Sequence, residues 1–529
     1  MENLSEHLLN SLTGPTWKKI GIKIHHGINL HLSAVHSAHS AGIGEFFDLI
    51  PIIDWCRTLH LDVIQLLPLN SSDEDPSPYN ANSSCAINFI HLSLHQLPHL
   101  DLVPEQQEKL KGLQELTKSQ RVPYSQVLNQ KLIWLRAYFS VAGSFLLQSQ
   151  EFQDFMSHHS WVKPYALFRS LKDQLAHTPW TTWPHELRPS VSKEYEELLD
   201  IHQASIHFYS SLQYLCYLQL NEVHLYAQKN QIFLMGDIPI LLSPDSADVW
   251  QYPEYFDINL AAGAPPDEYS QEGQYWGFPL FRWDVMRKTE FSWWKQRLSY
   301  ASHFFDLYRL DHVTGFFRIW TIPLGHPSSE GYFLPADDHQ GESQGRELLK
   351  MLAVSSPMLP IAEDLGSVHP VVPIILEEMG ICGTKVMRWM HTSDNACIPI
   401  DRYPPISLTC LSTHDSPTLQ QWWKQFPKEA QMVCNVKKWE YAPDLTIDQR
   451  RDILRDSHQT SSLFHINLLQ EYLALFPELV WSNPDEERIN IPGTKLPSNW
   501  TYRFRPSVED LIAHEGLSSA IVTLIKSGK

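Results

Sequence analysis

The sequence predicts an α/β protein built on a (β/α)8 TIM barrel, and three observations carry that prediction. Short apolar runs alternate with helical patterns about eight times along the chain, the order that parallel strands joined by crossover helices require. No G-x-G-x-x-G turn marks a doubly wound nucleotide-binding sheet. Several of the apolar runs end in an acid, and strand ends are where such a barrel keeps its chemistry.

The first unit is GINLHLS (27–33), followed by the helical EFFDLIPIIDWCRTLH (45–60) and by LDVIQLLPL (61–69), a continuous apolar run suited to a strand buried on both faces. The pattern resumes in QIFLMGDIPI (231–240), HFFDLYRLDHV (303–313), PMLPIAEDLG (357–366), GTKVMRWM (383–390) and SLTCLSTHD (407–415), with FPELVW (476–481) as the candidate eighth strand. Helical patterns such as RELLKMLAV and VVPIILEEMG fall between them. Residues 71–230 are far too many for a loop and carry amphipathic helical spacing, as in PEQQEKLKGLQELTK. The chain therefore divides into a catalytic barrel of residues 20–70 and 231–529 and a mainly helical inserted subdomain of residues 71–230. Too few residues follow the last candidate strand for a C-terminal β domain.

Composition narrows the function. Acidic residues outnumber basic ones by 60 to 41, giving a formal net charge of -19, which argues against nucleic acid or an anionic membrane surface as partner. Trp, Tyr and Phe number 18, 20 and 23, and flat aromatic faces that fill a core also stack on the C–H faces of sugars. Seven cysteines are scattered without a C-x-x-C pair, so neither a disulfide framework nor a cysteine zinc site is expected. The N-terminus lacks a basic start followed by an apolar block, and no apolar run reaches about 18 residues. A soluble cytoplasmic protein is expected.

Four acids, Asp237, Asp311, Glu363 and Asp415, stand at the ends of apolar runs. Any one of them has a plain structural reading; Asp415, before SPTLQQWW, suits a helix N-cap. Four at the same end of one barrel converge on a site. In YRLDHVTGFFRIW (308–320), read as a buried strand, Arg309 and Asp311 share a face, either as a structural ion pair or as a carboxylate kept charged by a cation. His312 falls on the opposite strand face, as a hydrogen-bonded core residue. Cleaving a glycosidic bond with retention requires one carboxylate as nucleophile and a second of raised pKa as acid. Glu363, among the apolar neighbours of PIAEDL, suits the acid, and Asp415 beside His414 suits sugar hydroxyls. Di-metal hydrolases also cluster Asp and His at strand ends, but H-x-H and H-E-x-x-H are absent, so no metal or other cofactor is expected.

The segments YRLDHVTGFFRIW, PIAEDLGSV and LSTHDSPTLQQWW resemble the motifs of the 4-α-glucanotransferases, the amylomaltase or disproportionating-enzyme family. SAHSAGIGEFFDL (37–49), SPY (77–79), MGDIPILLSPDSADVW (235–250), APPDEYSQEGQYWGFPLFRW (264–283), INIPGT and SNWTYRFRP extend the resemblance in the family's order. The wording of GFFRIW and SNWTYRFRP is closer to the plant cytosolic disproportionating type, without a counterpart of its N-terminal starch-binding modules. The resemblance implies retaining transfer of α-1,4-glucan segments from a maltooligosaccharide to the 4-hydroxyl of glucose or of a glycogen-like glucan. It makes Asp311 the nucleophile, Glu363 the general acid/base and Asp415 the transition-state stabiliser. Arg309, His414, Asp237 and Asp364 become substrate-binding residues, and Tyr79 and Trp276 stack on flanking glucosyl units or, alternatively, pack their loops. Three departures bear on donor length and acceptor choice: Ser and acids precede SPY where glycines are common, Phe278 follows WG where Asn is usual, and Thr314 stands where Arg is frequent. An α-amylase-like hydrolase and a silent glucan-binding scaffold are the remaining alternatives.

Overall fold

The computed structural model describes residues 2–188, 192–266, 270–392 and 396–526. Its strands are β1 (His25–Leu30), β2 (Val63–Leu66), β3 (Phe233–Ile238), β4 (Phe256–Ala264), β5 (Gln274–Phe281), β6 (Leu307–Leu310), β7 (Ile319–Pro323), β8 (Tyr332–Leu334), β9 (Leu359–Ala362), β10 (Cys382–Val386), β11 (Ser407–Cys410) and β12 (Phe464–Leu468). Eight of them close a barrel in the order β1-β12-β11-β10-β9-β6-β3-β2, every pairing parallel. The predicted barrel is the observed one. The other four form an antiparallel sheet, β5-β4-β7-β8, carried by the connections that leave β3 and β6, so it stands at the same end as the acids.

Each of the first seven apolar runs overlaps a barrel strand, but the eighth expectation is corrected. FPELVW (476–481) holds only a 3-10 turn, Pro477–Leu479, since proline has no N–H to give a ladder. The closing strand is FHINL, whose polar His465 and Asn467 interrupt its apolar pattern. Both are fully buried and hydrogen-bonded: Leu411 N donates to Asn467 Oδ1 at 2.9 Å, Asn467 Nδ2 donates to Ser457 Oγ at 2.9 Å, and His465 Nε2 meets Thr460 Oγ1 at 2.9 Å, while His465 Nδ1 is left without a partner. Buried polar groups with partners are compatible with a core strand.

YRLDHVTGFFRIW is likewise not one strand. β6 stops at Leu310, a short helix spans Thr314–Phe317, and the segment re-enters as β7 in the other sheet. His312 is in the left-handed region at φ 45°, so it lies in a turn and not on a strand face.

Between β2 and β3 run helices Pro104–Gln114, Tyr124–Gln148, Gln150–His158, Val162–Gln174, Ser192–Ile201 and Gln203–Lys229. Their apolar faces join the cluster that also holds barrel-side residues such as Ile28, Leu66 and Leu234. A buried charge pair fastens them further. Lys131 Nζ, on helix Tyr124–Gln148, donates to Glu45 Oε1 at 2.6 Å and to the carbonyls of Ile90 and Leu92 at 2.7 and 3.0 Å. Burial pushes the Glu45 carboxyl up to about 7 against the pull of Lys131. Among the described residues, no helix is long and apolar enough to cross a membrane.

Replacing Lys131 with Met would leave the Glu45 carboxylate buried without its cation. A loss of about 3–5 kcal/mol in urea unfolding is expected, whereas a loss under about 1 kcal/mol would mean the pair fastens nothing.

Candidate active site

Parallel strands in register deliver their ends to one place. Asp237 on β3 is the direct partner of Arg309 on β6, which in turn pairs with Ile361 on β9, so side chains from adjacent strands reach the same mouth. Asp311 is the first residue beyond β6 and Glu363 the first beyond β9, while His414 and Asp415 follow β11 in a turn.

Arg309 joins these groups. Its Nη1 donates to Asp237 Oδ2 at 2.7 Å, to Asp311 Oδ1 at 3.1 Å and to Tyr79 Oη at 3.2 Å, and its Nη2 donates to Glu363 Oε2 at 3.0 Å. One guanidinium thus faces three carboxylates, a geometry its rigid fork of donors allows and a lysine ammonium would not. Asp311 is held from its other side by Ile240 N, which donates to Oδ2 at 3.3 Å. Glu363 Oε2 also accepts the His312 backbone N–H at 2.7 Å. That bond comes from the left-handed turn at His312.

The same cleft sets carboxyls apart electrostatically. Burial lifts Glu363 to about 8, with Arg309 opposing and the charge of Asp311 adding to the rise. Burial also raises Asp237 despite Arg309, and its Oδ1 is a buried acceptor without a partner. Partial burial pulls Asp415 upward too, but His414 and the Asn490 amide outweigh it and hold the carboxyl at about 2. His414 Nε2 lies 3.4 Å from Asp415 Oδ2, and 45% of the Asp415 side chain stays open.

Tyr79 closes one wall. Its hydroxyl donates to Asp237 Oδ2 at 2.7 Å, and its ring stacks on His414 with centroids 5.1 Å apart. Trp276, on β5, stands edge-on to His312 at 5.0 Å and donates from Nε1 to Gln274 Oε1 at 3.1 Å. Residues 267–269 of the APPDEYS stretch lie outside the described residues.

Asp364 is a correction. Its carboxylate takes Lys385 Nζ at 2.6 Å and Thr384 N at 2.7 Å, and its side chain is only 2% exposed. Two residues in succession after a strand point to opposite sides, so the neighbour of Glu363 is turned into an ion pair with Lys385 on β10 and away from Arg309.

Two residues that sequence reasoning left without a role belong here. Asn490 Nδ2 donates to Asp415 Oδ1 at 2.6 Å, and Arg488 Nη2 donates to the Asp415 carbonyl at 2.8 Å. Asn490 lies within INIPGT, a segment noted only for its resemblance, and Arg488 directly precedes it. Among the described residues, no group of three or more His, Cys, Asp or Glu is arranged to hold a metal ion.

Comparison with known proteins adds to this geometry. A family model described as 4-alpha-glucanotransferase matches residues 30–509. The chain is 42% identical over 532 residues to a 4-alpha-glucanotransferase of Chlamydia pneumoniae, covering 99% of each. It is 34% identical over 307 residues to the 4-alpha-glucanotransferase DPE2 of rice, Oryza sativa, which spans 56% of this chain and 32% of that one. An amylomaltase from Streptococcus agalactiae, solved in complex with acarbose, superposes with a TM-score of 0.80 at 25% identity, covering 96% of this chain and 99% of the other.

Removing the Asn490 amide, as Asn490→Ala, strips Asp415 of a charge-assisted hydrogen bond. Its titration, followed by carboxyl-carbon NMR, is expected to move from about 2 toward the ordinary value of roughly 4. An unmoved midpoint would show that Asn490 does not hold the carboxylate.

Proposed function

The chain belongs to the 4-alpha-glucanotransferase family, and on that premise we propose that α-1,4-glucan transfer is performed by Asp311, Glu363 and Asp415 around Arg309. The observation that carries the reading is the single guanidinium bonded to both Asp311 and Glu363, with Glu363 lifted to about 8. A carboxyl that high is protonated at neutral pH and can give a proton; Asp311, on the same guanidinium and first beyond β6, is placed to attack.

In the first half-reaction, Glu363 donates its proton to the glycosidic oxygen as that bond breaks. Asp311 forms a bond to the anomeric carbon, giving a covalent β-glucosyl-enzyme. The shortened donor leaves with the proton. In the second, the Glu363 carboxylate takes the proton of an acceptor 4-hydroxyl, whose oxygen attacks the anomeric carbon and releases Asp311. Asp415, ionised at about 2, is placed to bind sugar hydroxyls and to offset the positive charge that develops on the ring. His414, Asp237, Tyr79 and Trp276 supply the walls that position the sugar.

The donors and acceptors are maltooligosaccharides and larger α-glucans, with free glucose and glycogen-like polymers included among the acceptors. We take residues 71–230 as a helical subdomain whose contribution to the site is Tyr79. The place of action inferred is the cytoplasm, supported by seven cysteines that are all free thiols.

The direct test is incubation with maltotriose. Transfer redistributes chain lengths at a constant number of reducing ends, whereas a steady rise in reducing ends would mean hydrolysis instead. The first half-reaction needs protonated Glu363, so kcat/KM is expected to fall as pH rises through about 8. Glu363→Gln should lower the rate about 10²- to 10⁴-fold and abolish that alkaline limb; a variant retaining the limb would assign it to another group.

A further inference from the structure

On the flank of the barrel, helices Gln150–His158, Gln203–Lys229 and Ser292–Ala301 enclose a groove of about 650 Å³. That volume lies within the range of about 300–1,000 Å³ usual for small-molecule sites. None of the catalytic residues lines it. The two longer helices run down the outside of the barrel into β3 and β6, so the groove lies on the barrel's side.

Its floor is aromatic. The Tyr217 ring lies 5.3 Å from Phe155, 5.4 Å from His159 and 5.4 Å from His303. Tyr300 continues the floor, 5.1 Å from His159 and 4.9 Å from Trp161. Tyr217 is half-buried, so one side of the cluster remains open to the groove. Trp161 Nε1 and Tyr300 Oη are buried beneath it without hydrogen-bond partners, an uncommon condition for such groups. The rim carries the carboxylates of Glu151 and Asp154 and the amide of Gln296, and none of the described lining residues is Lys or Arg.

This chemistry selects a ligand. Its described lining offers no guanidinium or ammonium, only the imidazoles of His158, His159 and His303, of which burial lowers the pKa of the last two, so the groove is poorly suited to a phosphate or a carboxylate. Aromatic faces bordered by acceptors fit a neutral polyhydroxylated ring: its C–H face stacks on the rings while its hydroxyls donate to the carboxylates. We propose that the groove is a second, non-catalytic site for α-glucan chains, holding a short run of glucosyl units on the Tyr217 side of the aromatic floor. The choice of α-glucan rests on the transferase reading above. Anchoring a polymer here raises the local concentration of its chain ends at the catalytic mouth. A trisaccharide is too short to gain from this.

The test compares two substrates in the full-length protein, glycogen as donor to glucose and maltotriose alone. Tyr217→Ala is expected to raise KM for glycogen about tenfold while kcat/KM for maltotriose stays within about twofold. Should that variant lose maltotriose turnover through misfolding, the exposed rim pair Glu151→Gln with Asp154→Asn decides, with an expected rise of about threefold in the glycogen KM. An unchanged glycogen KM in a variant that retains maltotriose turnover overturns the second site. A parent protein that fails to redistribute maltotriose overturns the transferase reading instead, so the two failures are separable.

Discussion

One guanidinium facing three carboxylates is the constraint on which the barrel mouth depends. Arg309 neutralises part of a concentration of negative charge that would otherwise repel itself in a poorly solvated cleft. Its contacts with Asp237, Asp311, Glu363 and Tyr79 fix the relative positions of groups that come from β3, β6, β9 and the inserted segment. Because that one charge is divided, it does not cancel the burial of Glu363, which rises to about 8. Asp415, outside the fork and served by His414 and Asn490, falls to about 2. Carboxyls in one cleft are thereby pushed apart, which is how acid and base chemistry coexist at one pH.

The supporting contacts explain why the arrangement holds. The left-handed turn at His312 aims a backbone N–H at Glu363, a second donor on the same Oε2 that Arg309 holds. Tyr79 presents its hydroxyl to Asp237 and its face to His414, so a single ring braces both ends of the cluster. Lys385 takes up Asp364 and keeps that carboxylate from competing for Arg309. Farther out, the Lys131–Glu45 pair ties the inserted helices to the loop after β1.

The barrel and its acids were legible because their signals are local. An acid that ends an apolar run is visible over a few residues, and so is Arg309 two positions before Asp311 on a strand. What stayed hidden depends on distance or on context. Asn490 is 75 positions from Asp415 and has no periodicity that points to it. β12 was disguised by His465 and Asn467, whose hydrogen bonds inside the core no pattern of hydropathy reports. YRLDHVTGFFRIW reads as one strand because its apolar residues continue past β6, although they serve a turn, a short helix and a second sheet in succession. Asp364 adjoins Glu363 in the sequence, yet alternation of side chains beyond the strand turns it to Lys385.

The claim at the centre of this account is that Asp311, held by Arg309, carries the glycone through the reaction. Mass spectrometry of acid-quenched, protease-digested protein after brief exposure to maltotriose tests it most directly, using Glu363→Gln to slow breakdown of the intermediate. The account predicts a peptide bearing Asp311 with added hexose mass. Hexose on a different carboxylate, or transfer that proceeds with no covalent adduct at any time point, would contradict it.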